Sequence, residues 1–292
     1  MSITTSEIAS QPALWERAIA EADGARELLG APGERVLYLG CGTSAYIAES
    51  LAILREQAGV GYSDAAYGSE WRPGREYDRV VVVTRSGTTS EILDALALVP
   101  AGVHRTAITG VADAPVHALV DDALVLDYAD EKSVVQTRFP TTTLIAARTV
   151  FGEDVSALPD AARRELDRLQ DLDVAALDHF VYLGSGWAYG LAQEAALKIR
   201  EAAQAWSESY PTLDYRHGPI AVAHPGSVVA MFGTPVPDLV QDVEATGAVV
   251  RTSAADPLVQ LVAAHRLAVD VAASRGLDPD EPRALTRSVI LR

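Results

Sequence analysis

A succession of short apolar, β-favouring runs, each followed by a turn of small polar residues and then by a helical pattern, constrains this chain more than any other feature. The runs are Val36–Leu39, Val80–Val83, Arg105–Ile108 and Ala123–Leu126 in the first half, and Phe180–Leu183, Val228–Phe232 and Ala248–Arg251 in the second. Strands that are apolar on both faces suit a parallel sheet covered by helices on each side. Alternation with helices then predicts a doubly wound α/β fold.

The halves echo one another. Leu37-Tyr38-Leu39-Gly40-Cys41-Gly42 matches Val181-Tyr182-Leu183-Gly184-Ser185-Gly186, and each turn opens a helix, expected over Ile47–Gln57 and Ala188–Trp206. A repeated strand, glycine turn and helix predicts two similar lobes, each a parallel sheet flanked by helices. The charged, helical stretch 159–173 lies between them, so the lobes are expected over 1–170 and 171–292, with a boundary near Gln170. The segment Glu7–Leu29 reads as an amphipathic helix with Trp15 on its apolar stripe.

Composition narrows the function. A net charge of −16 argues against a nucleic-acid partner, because such proteins gather positive charge on one face. The single cysteine, Cys41, excludes an intramolecular disulfide framework. No basic n-region, apolar h-region or membrane-length apolar stretch is present, which predicts a cytoplasmic protein with no membrane partner.

Three loops are candidates for holding an anion at the carboxyl edge of the first sheet, where ligands of doubly wound folds bind. Gly40-Cys41-Gly42-Thr43-Ser44 joins a strand to a helix N-terminus, whose free N–H groups and dipole favour negative charge. A dinucleotide site competes for this loop, but it lacks the third glycine and a ribose-binding acid. The second loop, Thr84-Arg85-Ser86-Gly87-Thr88-Thr89-Ser90, crowds hydroxyls and one guanidinium onto the start of a helix expected near Glu91. One hydroxyl would suffice as an N-cap; so many, with Arg85 as a potential bidentate partner, point to a phosphate. The third, 131–138, precedes a helix expected over Thr141–Phe151 and includes Val134 and Gln136.

In the second half, Glu194, Lys198 and Glu201 stand at i, i+4 and i+7 of one helix, hence on one face. His217 follows in a Gly-Pro turn placed immediately before an apolar run read as the next strand, a position suited to a proton carrier.

With these residues together, the chain resembles the SIS-domain sugar-phosphate isomerases, specifically the isomerase half of glucosamine-6-phosphate synthase and the shorter tagatose/galactosamine-6-phosphate isomerase-deaminase group. The resemblance covers nearly the whole chain. It rests on Gly40–Ser44, the Ser86-Gly87 loop, Ser133–Thr137, the Ala195-Leu197-Lys198-Glu201 helix, His217-Gly218-Pro219 and the tail Asp280–Val289. It implies that Ser44, Thr84, Ser86 and Thr89 hold the phosphate, with Gly42, Thr43, Val134 and Gln136 also among the residues that bind the sugar phosphate. Arg85 stands where the synthase has a glutamine, and Gln136 where it has a serine. Glu201 would be the base that moves a proton between C1 and C2, with Lys198 and Glu194 orienting the site. His217 would assist ring opening from the neighbouring subunit of a homodimer. Arg287 falls at the position of the synthase's tail lysine, and an arginine can neither form a Schiff base nor act as a base at neutral pH.

The expected activity is therefore isomerisation of a sugar 6-phosphate or a related anionic sugar through a cis-enediol(amine), with no cofactor and no metal. Glutamine-dependent synthesis is not expected, since no glutaminase domain is seen. Amino-sugar-phosphate deamination or deglycation, a non-catalytic sugar-phosphate sensor and a sulfonated sugar ligand are the alternatives.

Overall fold

The computed structural model describes residues 2–168 and 171–291. In chain order it forms α1 (Ile3–Glu21), β1 (Val36–Gly40), α2 (Thr43–Gln57), β2 (Ser63–Tyr67), β3 (Arg79–Val83), α3 (Ser90–Leu98), β4 (His104–Thr109), β5 (Asp122–Val125), α4 (Arg138–Val150) and α5 (Leu158–Asp167). There follow β6 (His179–Gly184), α6 (Ala188–Ala203), β7 (Trp206–Pro211), β8 (Ser227–Met231), α7 (Pro237–Ala245), β9 (Val249–Arg251) and α8 (Pro257–Ser274). Two all-parallel sheets result, in the orders β2-β1-β3-β4-β5 and β7-β6-β8-β9. The α/β class with parallel sheets and flanking helices is thus the one expected.

Contacts divide the chain into two compact units. The first-sheet unit is Ser10–Pro159 with the tail from Thr286 onward; the second-sheet unit is Asp160–Leu285 with the opening residues through Ala9. Gln170, the expected boundary, lies outside the described residues.

In the first-sheet unit, β1 and β3 are buried along their whole length. Four consecutive valines, Val80 to Val83, supply the stiff β-branched side chains that fit a pleat covered on both sides. Leu37, Leu39, Val80 and Val82 pack against Ile92, Ala95 and Leu96 of α3. In the second-sheet unit, Val181, Leu183, Val229 and Met231 pack against Leu239 and Val243 of α7.

Several elements differ from expectation for identifiable reasons. Strands β2 and β7 were not anticipated; both are edge strands, half-exposed and rich in polar residues, so they lack the apolar signature. Helix α6 stops at Ala203 rather than Trp206, because Gln204 adopts a left-handed conformation and Trp206 opens β7. The run after His217 is not a strand: Pro219–Val222 is a 3-10 turn, and β8 begins only at Ser227. Helix α1 spans Ile3–Glu21 instead of 7–29; the turn-forming Asp23-Gly24 pair follows in a 3-10 turn. Its early start has a cap from far along the chain: the N–H groups of Ile3 and Thr4 donate to the Asp280 carboxylate at 2.6 and 2.8 Å. Burial pushes that carboxyl up, but the hydrogen bonds from Thr4 and Ile3 outweigh it and hold Asp280 below its ordinary range.

Gly40 and Gly184 each end the first-paired strand of their sheet, and a Cβ on either would lie 2.3 Å from helix backbone, that of Ser44 and Ala188 respectively. Only glycine lets these helices start so close to their strands. Gly184→Ala is therefore expected to lower unfolding stability by about 1–3 kcal/mol in denaturant titration, the range for overpacking. Gly24→Ala, where a Cβ meets nothing within 4 Å, should leave it nearly unchanged.

Candidate active site

The first sheet reverses strand order between β1 and β3, and the loops leaving those strands flank that switch point. A small concavity there is lined by Cys41, Ser44, Thr84, Arg85, Ser86, Thr89, Gln136 and Arg287, with Val83 and Ile92. The structure thus brings together most of the sequence-predicted anion-site residues of this unit. Gly42, Thr43 and Val134 lie outside the lining. Gly42, at φ 53°, is the N-cap of α2, and Thr43 is the first helical residue after it.

The hydroxyl loop is internally ordered. The Gly87 N–H donates to Thr84 Oγ1 at 3.3 Å, and the Thr88 hydroxyl hydrogen-bonds Ser86 Oγ at 3.0 Å. Thr89 is the N-cap of α3, yet no side chain caps that helix. No loop hydroxyl caps α3; its first N–H, that of Ser90, donates instead to the Val289 carbonyl of the tail. Gln136 Oε1 is buried without a hydrogen-bond partner among the described residues, and Gln136 lines the concavity.

Both arginines are engaged by backbone carbonyls. The Arg85 side chain is buried, and its Nη1 and Nη2 donate to the carbonyls of Ser133 (2.8 Å) and Arg287 (2.7 Å). Each terminal nitrogen of Arg85 thus spends one N–H on a backbone carbonyl, where the sequence suggested a bidentate anion partner. Arg287 in turn donates to the Glu131 carbonyl at 2.8 Å and pairs with Asp130 at 2.5 Å. Both guanidiniums hold the loops and tail around the concavity. Burial, with the nearby Glu91 charge, pushes the Cys41 thiol up, so it stays a poor nucleophile.

In the second-sheet unit, α6 places Glu194, Lys198 and Glu201 on one face as expected. Glu194 and Lys198 are buried; Lys198 Nζ lies 3.5 Å from Glu194 Oε1 and forms a short ion pair with Glu201 Oε2. Burial pushes the Glu201 carboxyl up; Lys198 opposes this and Glu194 adds to it, and the net shift is upward. Sequence reasoning missed His265 on α8, which is buried with Nε2 3.7 Å from Glu194 Oε1. Its only signal is a polar residue on the buried face of an otherwise apolar helix, with Gln260. His217 is not drawn into this cluster: it stands exposed at the end of a 3-10 turn, with no hydrogen bond or ion pair among the described residues. Among those residues, no group of three or more His, Cys, Asp or Glu is arranged to hold a metal, and no helix is long and apolar enough to cross a membrane.

No protein-family model matches the chain. A glutamine–fructose-6-phosphate aminotransferase (isomerizing) from Sulfurisphaera tokodaii is 26% identical over 299 residues, covering 88% of this chain and 50% of that protein. The chain thus spans half the length of that relative. Glucosamine-6-phosphate deaminase from Thermotoga maritima superposes with a TM-score of 0.86 at 25% identity, over 99% of this chain and 100% of that one. Tagatose-6-phosphate ketose/aldose isomerase from Escherichia coli shares the fold, with a TM-score of 0.77 at 21% identity over 99% of this chain and 96% of that one. Sequence relatives and fold agree with the motifs, and the chain is similar to the SIS-domain sugar-phosphate isomerases.

Proposed function

We propose that the chain is an aldose–ketose isomerase of a sugar 6-phosphate or close anionic analogue, needing no cofactor. The observation that carries this reading is the buried carboxylate–lysine–carboxylate set on α6, with Glu201 raised in pKa and held by Lys198. A base that abstracts a proton alpha to a carbonyl works best when its pKa approaches the working pH. Glu201 takes that role. Lys198 and Glu194 fix its position, and the enediol(amine) returns the proton to the neighbouring carbon. Ser44, in the first turn of α2, and Thr84, Ser86 and Thr89, in the loop leading into α3, hold the anion as neutral donors, and Gln136 offers its unpartnered acceptor to a sugar hydroxyl. Arg287, always charged and anchored on Asp130, supports no imine step.

The shared strand order and the paired glycines Gly40 and Gly184 support reading the two units as copies of one SIS domain. The exposure of His217 supports a homodimer in which that histidine serves the neighbouring copy in ring opening. A second reading, amino-sugar-phosphate deamination, draws support from the likeness to the Thermotoga deaminase. It shares the C2 proton transfer and is distinguished by release of ammonia.

Three outcomes are expected. Glu201→Gln keeps sugar-phosphate binding but slows solvent-deuterium exchange at C2 by about 10²–10⁴-fold, as for loss of a general base; unchanged exchange removes Glu201 from this role. The exchange rate falls on acidification with a midpoint above the ordinary glutamate range, because the base acts only when ionised and its pKa is raised. Mixing Glu201→Gln with His217→Asn, each inactive alone, restores activity after subunit exchange; no recovery would place His217 within its own chain's site.

A further inference from the structure

The α6 cluster has a fourth ionisable member that the proton transfer above does not use. His265 lies on the buried face of α8 with Leu261, Val262 and Ala268, and is 1% exposed. Its Nε2 stands 3.7 Å from Glu194 Oε1, and both side chains are wholly enclosed. The same Glu194 oxygen is 3.5 Å from Lys198 Nζ, and Lys198 pairs closely with Glu201 Oε2. Imidazole, carboxylate, ammonium and carboxylate thus succeed one another from α8 to α6. Of the four, Glu201 keeps the most access to solvent, its side chain being 18% exposed.

Charge counting decides what His265 does there. With a neutral imidazole the series holds two negative charges and one positive, and the net charge is buried. With an imidazolium the signs alternate and sum to zero, so every ion has an opposite neighbour, the condition under which buried ions are tolerated. Burial alone disfavours an imidazolium, whereas a carboxylate within about 4–6 Å favours it. Other charges near His265 are turned elsewhere. Arg266 spends Nη1 on the carbonyls of Glu165, Leu166 and Arg168, and Asp270, five residues on, lies about 140° around the helix. The 3-10 turn Val174–Ala176, which also packs on α8, carries no charged side chain.

We infer that His265 is a positioning residue for the proton transfer: as an imidazolium it keeps Glu194 ionised, so that Lys198 stays shared between Glu194 and Glu201. This rests on reading Glu201 as the base. Without the imidazolium, the enclosed Glu194 takes up a proton and Lys198 is committed to Glu201 alone. The base then loses the neighbouring negative charge that helps to hold it above its ordinary range.

The test uses the full chain. Histidine-selective ¹⁵N labelling with backbone assignment reads the His265 ring directly and needs no turnover. The ring should stay doubly protonated at a pH where an exposed histidine has lost its proton, and should lose that proton in Glu194→Gln. In solvent-deuterium exchange at C2, His265→Gln and Glu194→Gln should each move the acidic midpoint to lower pH by the same amount. The double variant should move it no further, because both changes remove one charge. A merely structural histidine would lower the rate and leave the midpoint in place. The inference is overturned if the wild-type ring is neutral at that pH, if Glu194→Gln leaves it charged, or if His265→Gln does not shift the midpoint. A chain without any C2 exchange removes the isomerase reading instead, and the ring signal then decides by itself whether His265 holds the charge on Glu194.

Discussion

Strands buried on both faces leave the chain only their ends on which to place chemistry, and this constraint organises the molecule. β1, β3 and β6 expose no side chain along their length, so polar side chains there would need partners within the sheet. Hydroxyl and glycine residues therefore collect in the loops that follow, and parallel order sends those loops to one edge. Gly40 and Gly184 tighten the constraint, since each lets a helix begin within contact distance of the strand it follows. In the first sheet the outcome is a helix N-terminus and a hydroxyl loop on either side of the reversal between β1 and β3.

The charged groups on α6 follow a different logic. Two carboxylates and one ammonium are removed from water together, and the desolvation of such a set is offset only when each charge has a close partner. Lys198 lies between Glu194 and Glu201 and serves both. Glu194 is wholly enclosed and also faces His265, while Glu201 keeps partial access to solvent. Burial raises the Glu201 carboxyl, and the short ion pair with buried Lys198 orients it.

That spacing was legible in the sequence, as were seven of the nine strands, because periodicity and apolar runs are local properties. What was not legible depended on partners distant in the chain. β2 and β7 are strands because β1 and β6 offer them hydrogen-bonding edges, not because their own residues demand it. The end of α6 turned on a left-handed Gln204, a conformation with no strong residue signature. His265 gains meaning only once α8 packs against α6. Arg85 is the clearest case: its place in a hydroxyl loop suggested an anion partner, whereas its donors reach the carbonyls of Ser133 and Arg287, 48 and 202 residues away in sequence.

The setting of Arg85 shows what orders the hydroxyl loop in so acidic a chain. Its guanidinium ties the hydroxyl loop to the tail, which is also held by Thr88 to Ser288, by the Ser90 N–H to the Val289 carbonyl, and by the Leu291 N–H to Ser90 Oγ. Those bonds order a loop of small, rotatable hydroxyls during folding, so that little conformational freedom is left to lose when a ligand arrives. Arg287, locked on Asp130, extends the same framework to the loop before α4. Positive charge here fixes the geometry of the hydroxyl loop, the tail and the loop before α4 through backbone carbonyls and Asp130.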